Sequence, residues 1–186
     1  MEQDNKKKYD ETSSPIMKEG NISIITDSYD DLFSDFDPRH FSERALSDDF
    51  LFECKNAVRG KDGKSELELR ILVPEAKRKL SDEVIIKKRL KNHFQKHFNE
   101  KTEELSKIKK EGFLWFILGV ALATMGAYIY DYKTILTNFA LVMLEPAGWF
   151  TMWTGLDKIF SNIKDKHPEF EFYKKMSNVR IIFYSY

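Results

Sequence analysis

One acidic residue interrupts the most apolar part of this sequence. Residues 134–156 contain a single charged side chain, Glu145, and Pro146 follows it directly. A carboxylate near the centre of a bilayer costs on the order of 3 kcal/mol on insertion scales, so Glu145 is a candidate functional group. Asn138 lies seven residues earlier and shares a helix face with Glu145. This polar stripe is expected to face water, a neighbouring helix or another subunit rather than lipid.

Pro146 and Gly148 predict an irregularity in the helix beside the carboxylate. Proline removes a backbone hydrogen bond, so the second apolar segment is expected to kink or break there. Broken helices at membrane depth are tolerated where they line a cavity. Two interpretations follow. Either a ring of Glu145 side chains lines a cation or proton path in a symmetric oligomer, or Glu145 hydrogen-bonds to a neighbouring helix and serves assembly only.

The run MLEP at 143–146, with aromatic residues at 149 and 150, is similar to the pore signature of mitochondrial calcium uniporters. In that family a Met-Glu-Pro run, preceded by an aspartate, opens the second of two transmembrane helices. The resemblance implies a calcium-selective carboxylate at Glu145. It covers about ten residues, and Val142 and Ala140 stand where the family has its upstream acidic residue and flanking tryptophan. A run this short does not assign the chain to that family.

The membrane prediction rests on two apolar segments. Residues 113–130 are 18 uncharged residues, about 27 Å of helix against a hydrocarbon core of about 30 Å. With residues 134–156 and the short connection DYKT they predict a transmembrane helical hairpin over 112–156. Tryptophan and tyrosine rings cluster toward the segment ends, as they do at headgroup boundaries. The alternative is a buried hairpin in a soluble protein.

Small residues recur every four positions along the first apolar segment, at Gly119, Ala123 and Ala127. Such a face lets helices approach closely in lipid. It predicts helix packing, either against another subunit or against the second segment of the same chain.

Lysines precede the first apolar segment, whereas the charges in the connection between the segments cancel. By the positive-inside rule the chain is expected to be a multi-pass protein of the inner (plasma) membrane with both termini cytoplasmic. The lysines either bind anionic lipid headgroups or serve topology alone; they are Lys107, Lys109 and Lys110.

Outside the hairpin the sequence predicts a small cytoplasmic α/β domain, although the chain is mostly α overall. Residues 1–18 are interpreted as a disordered tail and 19–111 as the α/β domain with a long basic helix. Residues 157–186 are expected to form a cytoplasmic C-terminal segment that ends in a strand. The local patterns predict strands at Ile22–Ile25, Leu67–Val73 and Val179–Tyr184, a helix at 47–59, a turn at 60–64 and a helix from Ser81 to Gly112.

The composition argues against several other functions. The formal net charge is zero, which gives no electrostatic case for nucleic-acid binding. No glycine-rich phosphate loop, GxSxG or CxxC motif is present, so we expect no enzymatic activity, no catalytic residues and no cofactor. Cys54, the one cysteine, falls in a helical pattern and is expected in the core.

His93 and His97 are four residues apart, a spacing that can hold a metal. Lysines around them would repel a cation, so a solvated or interfacial face is expected, and no metal site. The acidic run 27–37 lacks the ligand spacing of an EF-hand and is interpreted as a solvated loop.

These observations favour an oligomeric two-span membrane protein. The expected function is an ion- or proton-channel-like or membrane-permeabilising protein, with the cytoplasmic domain as a sensing or assembly element. The alternative is a non-conducting membrane-anchored scaffold or regulatory subunit of a larger complex. The expected partners are membrane lipid, further copies of the chain and a cytoplasmic protein.

Overall fold

The computed structural model of the chain describes residues 21–59, 67–132 and 134–186. It is mostly helical and contains one small parallel sheet. The chain divides into two compact units. We call Met1–Phe98 with Phe172–Tyr186 the α/β unit, and Asn99–Glu171 the hairpin unit. The predicted tail at 1–18 and the predicted turn at 60–64 lie outside the described residues.

Three parallel strands form the sheet in the order β1-β2-β3. They are β1 (Asn21–Ile25), β2 (Glu68–Val73) and β3 (Arg180–Ser185), and each of the three predicted strands is confirmed to within one residue or so. Pro74 follows β2 directly, as expected for a residue that cannot donate a backbone hydrogen bond to the sheet.

Three α-helices accompany the sheet: α1 (Asp48–Val58), α2 (Leu80–Ile129) and α3 (Ile135–Ser177). The helix predicted at 47–59 is confirmed as α1, although the side chain of Ser47 makes no capping hydrogen bond. Ser81 lies inside α2 rather than before it, because the N–H groups of Asp82 and Glu83 already donate to the Lys79 carbonyl.

Both long helices run past the points where local sequence signals suggested irregularity. Gly112 does not end α2, which continues through the first apolar segment. Pro146 and Pro168 both lie inside α3, which is continuous, so the second segment is not broken at Pro146. A helix held on one side by a neighbour can absorb the single hydrogen bond that each proline removes.

The core of the α/β unit lies on one face of the sheet. Alternate strand residues point into it, including Ile22, Leu69, Ile71 and Phe183, and helix residues from α1, α2 and α3 cover them. In α1 the buried side chains recur every four residues, at Phe50, Cys54 and Val58. This spacing places them on one helix face, and it confirms that Cys54 is a core residue.

A partly buried ion pair holds the start of α2 in this unit. Glu83 is 3% exposed, and Arg78 donates to its carboxylate from Nε at 2.8 Å and from a terminal nitrogen at 3.1 Å. The Tyr29 hydroxyl donates to the same carboxylate at 3.1 Å. The two-pronged geometry satisfies a charge that would otherwise be costly to bury.

The hairpin unit is inserted into the connection between two neighbouring strands. The chain leaves β2, enters the hairpin unit through α2, returns through α3 and ends in β3, which pairs with β2. Parallel neighbours require a long crossover, and here the crossover carries the whole hairpin.

Candidate functional site

The two helices of the hairpin unit pack through glycine. Apart from Leu105 and Thr151, every buried residue that the structure describes in this unit is a glycine. Gly112, Gly119 and Gly126 lie on α2, and Gly148 and Gly155 lie on α3. The glycines on each helix are seven residues apart, two helical turns, so they share one face.

Four of these glycines meet in two reciprocal pairs across the antiparallel helices. A Cβ on Gly119 would lie 2.8 Å from the Gly148 carbonyl oxygen, and one on Gly148 would lie 3.2 Å from the Gly119 carbonyl oxygen. Gly112 and Gly155 approach each other in the same way, at 2.9 and 2.6 Å. Each glycine therefore turns a Cα–H toward the opposite carbonyl, the weak hydrogen bond that recurs at close helix–helix contacts.

This packing involves part of the predicted small-residue face. Gly119 lies in the contact within the chain, and the Ala123 backbone touches Gly148. Both Ala123 and Ala127 are exposed. Sequence reasoning missed Gly112, Gly155 and the structural role of Gly148, although their seven-residue spacing was a readable signal.

Large apolar side chains cover the outside of the hairpin rather than its inside. In the most apolar 18-residue stretches of α2 and α3, only 17% and 11% of the residues are buried. Both helices are long and apolar enough to cross a membrane. The exposed residues include Phe113, Trp115, Leu118, Phe139, Val142, Trp149 and Phe150. A water-soluble helix pair would bury such side chains along its seam.

Glu145 lies at an open groove on the flank of the hairpin. The groove holds about 210 Å³ and is lined by Ala123, Ala127, Gly148, Trp149 and Met152 beside the carboxylate. Glu145 is exposed and has no ion-pair or hydrogen-bond partner among the described residues. The small residues of α2 leave room beside the carboxylate that no side chain of the described hairpin fills.

Two further polar groups lie on the same side of α3 as Glu145. Asn138 is exposed, and its side chain has no hydrogen-bond partner among the described residues. Pro146 has no N–H, so the carbonyl four residues before it, at Val142, lacks its usual helix partner. An amide, a carbonyl and a carboxylate thus form a stripe on the outer surface of α3.

The polar ends of the hairpin unit are held by ion pairs between α2 and α3. Lys101 lies 2.9 Å from Glu169, Glu104 pairs with Lys166, and Glu111 lies 3.4 Å from Lys158. The hydrogen bond from Lys166 lowers the pKa of Glu104, and the bond to Glu169 raises the pKa of Lys101. Exposed cations without an ion pair in the described structure remain at Lys107, Lys109 and Lys110.

The remaining candidates in the α/β unit pack against aromatic rings or lie in the core. His93 and His97 have ring centroids 4.3 Å apart, and His97 stacks on Tyr173 at 5.1 Å. Burial lowers the pKa of His93 to about 4, and the nearby His97 and Arg89 add to the shift. Burial also raises the pKa of the Cys54 thiol to about 12, which makes it a poor nucleophile.

The acidic run is organised by its own backbone. Asp31 accepts from the Thr26 hydroxyl at 2.8 Å and from the Asp27 and Ser28 N–H groups. No group of three potential metal ligands occurs in the part of the chain that the structure describes.

Comparison with known proteins finds no matching family, no similar curated protein and no similar solved structure.

Proposed function

We propose that the hairpin unit spans a membrane. The apolar helices bury glycine against each other and expose their large side chains, which is the packing expected where lipid, not water, surrounds a helix pair. In water the same exposed surface would far exceed the few hundred Å² that monomeric proteins tolerate. The insertion between β2 and β3 supports the same proposal, because an even number of spans returns the chain to the sheet it left.

The lysines that precede the first span support an orientation. Lys107, Lys109 and Lys110 are exposed on the side of the hairpin that connects to the α/β unit. By the positive-inside rule this side is cytoplasmic, in the inner (plasma) membrane, with both termini inside. Each lysine near an anionic leaflet contributes about 1 kcal/mol of attraction, so these side chains are proposed to contact lipid headgroups.

The observation that carries the function is the exposed, unpartnered Glu145 beside a groove of small residues. In lipid this carboxylate requires a polar partner, and the described hairpin supplies none. Further copies of the chain would place Glu145, Asn138 and the Val142 carbonyl around a common axis. Because all inserted copies share one orientation, equivalent groups lie at the same depth and form a ring. We therefore propose an oligomeric, channel-like protein in which the Glu145 ring lines a cation or proton path.

The test compares ion flux through vesicles that contain the full-length chain with flux through its variants. Glu145→Gln keeps the shape of the side chain and removes its charge. If the carboxylate attracts cations in a narrow path, the rate of ion flux should fall about tenfold or more. Asp157→Asn removes a charge from the same helix at the end of the apolar segment and should retain flux. Absence of flux in the wild type, or equal flux in both variants, contradicts the proposal.

One observation favours a second function, a non-conducting scaffold or regulatory subunit. Apart from the stripe at Asn138, Val142 and Glu145, the outer surface of the spans offers few polar groups that could continue a path. In that case Glu145 specifies helix association only. The mass of the detergent-solubilised chain separates the two functions: a monomer or dimer supports the scaffold, whereas four or more copies support a carboxylate-lined path.

A further inference from the structure

A groove of small-molecule size lies between α2 and the loop that precedes α1. It holds about 560 Å³, which falls within the range of about 300–1,000 Å³ that is typical of ligand pockets. The loop contributes His40, Ser42 and Glu43. The helix contributes Val84, Ile85, Lys88, Arg89 and Asn92. All of these residues belong to the α/β unit, so the groove is separate from the hairpin unit and its proposed conduction path.

The helix residues of the groove change in character along α2. Val84, Lys88 and Asn92 are spaced by four residues, so they lie in one row on the helix surface. Ile85 and Arg89 lie in the adjacent row. The groove is therefore apolar at the end nearer the start of α2, cationic in the middle and lined by an amide at its other end, over about 12 Å of helix.

The two cations of the groove are free to bind a ligand. Lys88 is exposed and has no ion pair or hydrogen bond among the described residues. Arg89 donates from Nε to the Arg44 carbonyl at 2.9 Å, and its terminal nitrogens have no partner in the part of the chain that the structure describes. The bond to Arg44 holds the guanidinium in place. Its remaining N–H groups therefore form a positioned fork that matches the oxygens of an anion.

The loop side of the groove adds a neutral donor on an ordered turn. The His40 carbonyl accepts from the Glu43 and Arg44 N–H groups at 2.9 and 3.0 Å, which closes the turn. The Ser42 N–H donates to Nδ1 of the His40 ring at 3.4 Å. The hydrogen of the neutral ring then lies on Nε2, from which it can be donated to a ligand.

We propose that this groove binds a soluble nucleoside monophosphate. A phosphate group carries a charge of about −1.5 to −2 and three oxygens that accept hydrogen bonds from several directions. Lys88, the Arg89 fork and Nε2 of His40 supply donors to such a group from the two sides of the groove. Two full positive charges also exceed the single negative charge of Glu43, so the groove favours an anion.

The rest of the groove fits the nucleoside. Val84, which is 68% exposed, and Ile85 offer an apolar surface to the face of a planar base. The Glu43 carboxylate accepts hydrogen bonds only, so it suits the N–H groups of a base or the hydroxyl groups of a ribose. The same carboxylate disfavours an anion that carries no such donors. A bare phosphate ion would use only the cationic part of the groove.

Calorimetric titration of the full-length chain in detergent tests this site. The nucleotide probes are AMP, GMP, CMP and UMP, each compared with its own nucleoside, which lacks the phosphate. Glycerol 3-phosphate is the probe that carries the phosphate of a lipid headgroup without a base. We expect at least one nucleotide to bind about tenfold or more tightly than both its nucleoside and glycerol 3-phosphate, because each of these lacks half of the contacts.

Two lysine variants locate the binding site. Lys88→Ala should weaken nucleotide binding about tenfold, because it removes a charge-assisted hydrogen bond while the fold loses no contact. Lys91→Ala removes the same charge from an exposed position on α2 outside the groove and should bind the nucleotide as the wild type does. Glu145→Gln should also bind as the wild type does, so loss of the conduction path and loss of this site are distinguished.

Three results would overturn the proposal. The first is no binding of any of the nucleotides up to about 5 mM. The second is equal affinity for a nucleotide and its nucleoside, or for a nucleotide and glycerol 3-phosphate; the latter result would assign the groove to phosphate of any source, including lipid headgroups. The third is equal weakening of binding by Lys88→Ala and Lys91→Ala, which would indicate attraction to the net charge of the chain rather than to the groove.

Discussion

At the scale of single residues, His93 couples the α/β unit to pH. Its pKa is lowered to about 4 by burial, with smaller contributions from His97, Arg89 and Lys96. The ordinary value is near 6.5. Between these two pH values the folded chain binds fewer protons than the unfolded chain. The stabilising effect of a neutral His93 is therefore complete above about pH 6.5 and is lost as the pH falls toward about 4.

Replacement of this imidazole should make the α/β unit less sensitive to acid. We expect His93→Asn to show a smaller decrease in unfolding temperature between about pH 7 and about pH 5 than the wild type, because the variant has no group to protonate there. The measurement is thermal unfolding of the full-length chain in detergent at both pH values. An NMR titration of the wild-type His93 ring should have its midpoint near 4. Equal decreases in the unfolding temperature of wild type and variant would contradict the assignment of this pH dependence to His93.

At the scale of elements, the hairpin depends on close approach of backbones. A Cβ on Gly119 would lie 2.4 Å from the Met152 backbone nitrogen, so Gly119→Ala cannot be accommodated by rotating a side chain. We expect it to destabilise the hairpin by about 1–3 kcal/mol, as for an overpacked core. Thermal unfolding in detergent, followed by tryptophan fluorescence, measures the change.

Gly126→Ala is the matched control, because Gly126 lies on the same helix as Gly119 and is seven residues away from it. Its Cβ would lie 3.8 Å from the Leu144 Cβ, an ordinary contact. This variant should unfold at or above the wild-type temperature, since alanine also favours the helix. Equal decreases in the unfolding temperature of Gly119→Ala and Gly126→Ala would show that the helix itself, and not the backbone contact at Gly119, determines the stability of the hairpin.

Local sequence patterns predicted most of the short elements of this chain. Strands β1, β2 and β3 and helix α1 follow from periodicity, because each buries one face and its side chains alternate accordingly. The uncharged run at 113–130 likewise marks an apolar span. The ends of α2 and α3 could not be predicted from periodicity, because a helix that passes from a polar to an apolar region carries no stop signal at the boundary.

The pairing of elements was beyond local reasoning for a different reason. The pairing of β2 with β3 depends on contacts between residues more than a hundred positions apart, as between Leu69 and Ile181. At the candidate site, the charge at Glu145 was evident from the sequence. The groove beside it was not, because it exists only when Gly148 brings α2 close enough for Ala123 and Ala127 to line it.

At the scale of the whole molecule, the sheet constrains the topology of insertion. The chain segment before the first span continues from β2, and the segment after the second span leads to β3, which pairs with β2 along its full length. Both flanks of the hairpin must therefore lie on the same side of any membrane that it crosses. This requirement comes from strand pairing and is independent of the positive-inside argument.

Labelling of single cysteines in intact cells tests this topology. Tyr132→Cys, in the exposed connection between the spans, should react with a membrane-impermeant maleimide added from outside. Lys107→Cys and Lys164→Cys lie at exposed positions on the two flanks and should react only after the membrane is permeabilised. The buried Cys54 thiol should stay unlabelled throughout because its raised pKa keeps it protonated. Labelling of the two flanks from opposite sides would contradict pairing of β2 with β3 in the inserted protein, whereas labelling of both flanks from outside would reverse only the proposed orientation.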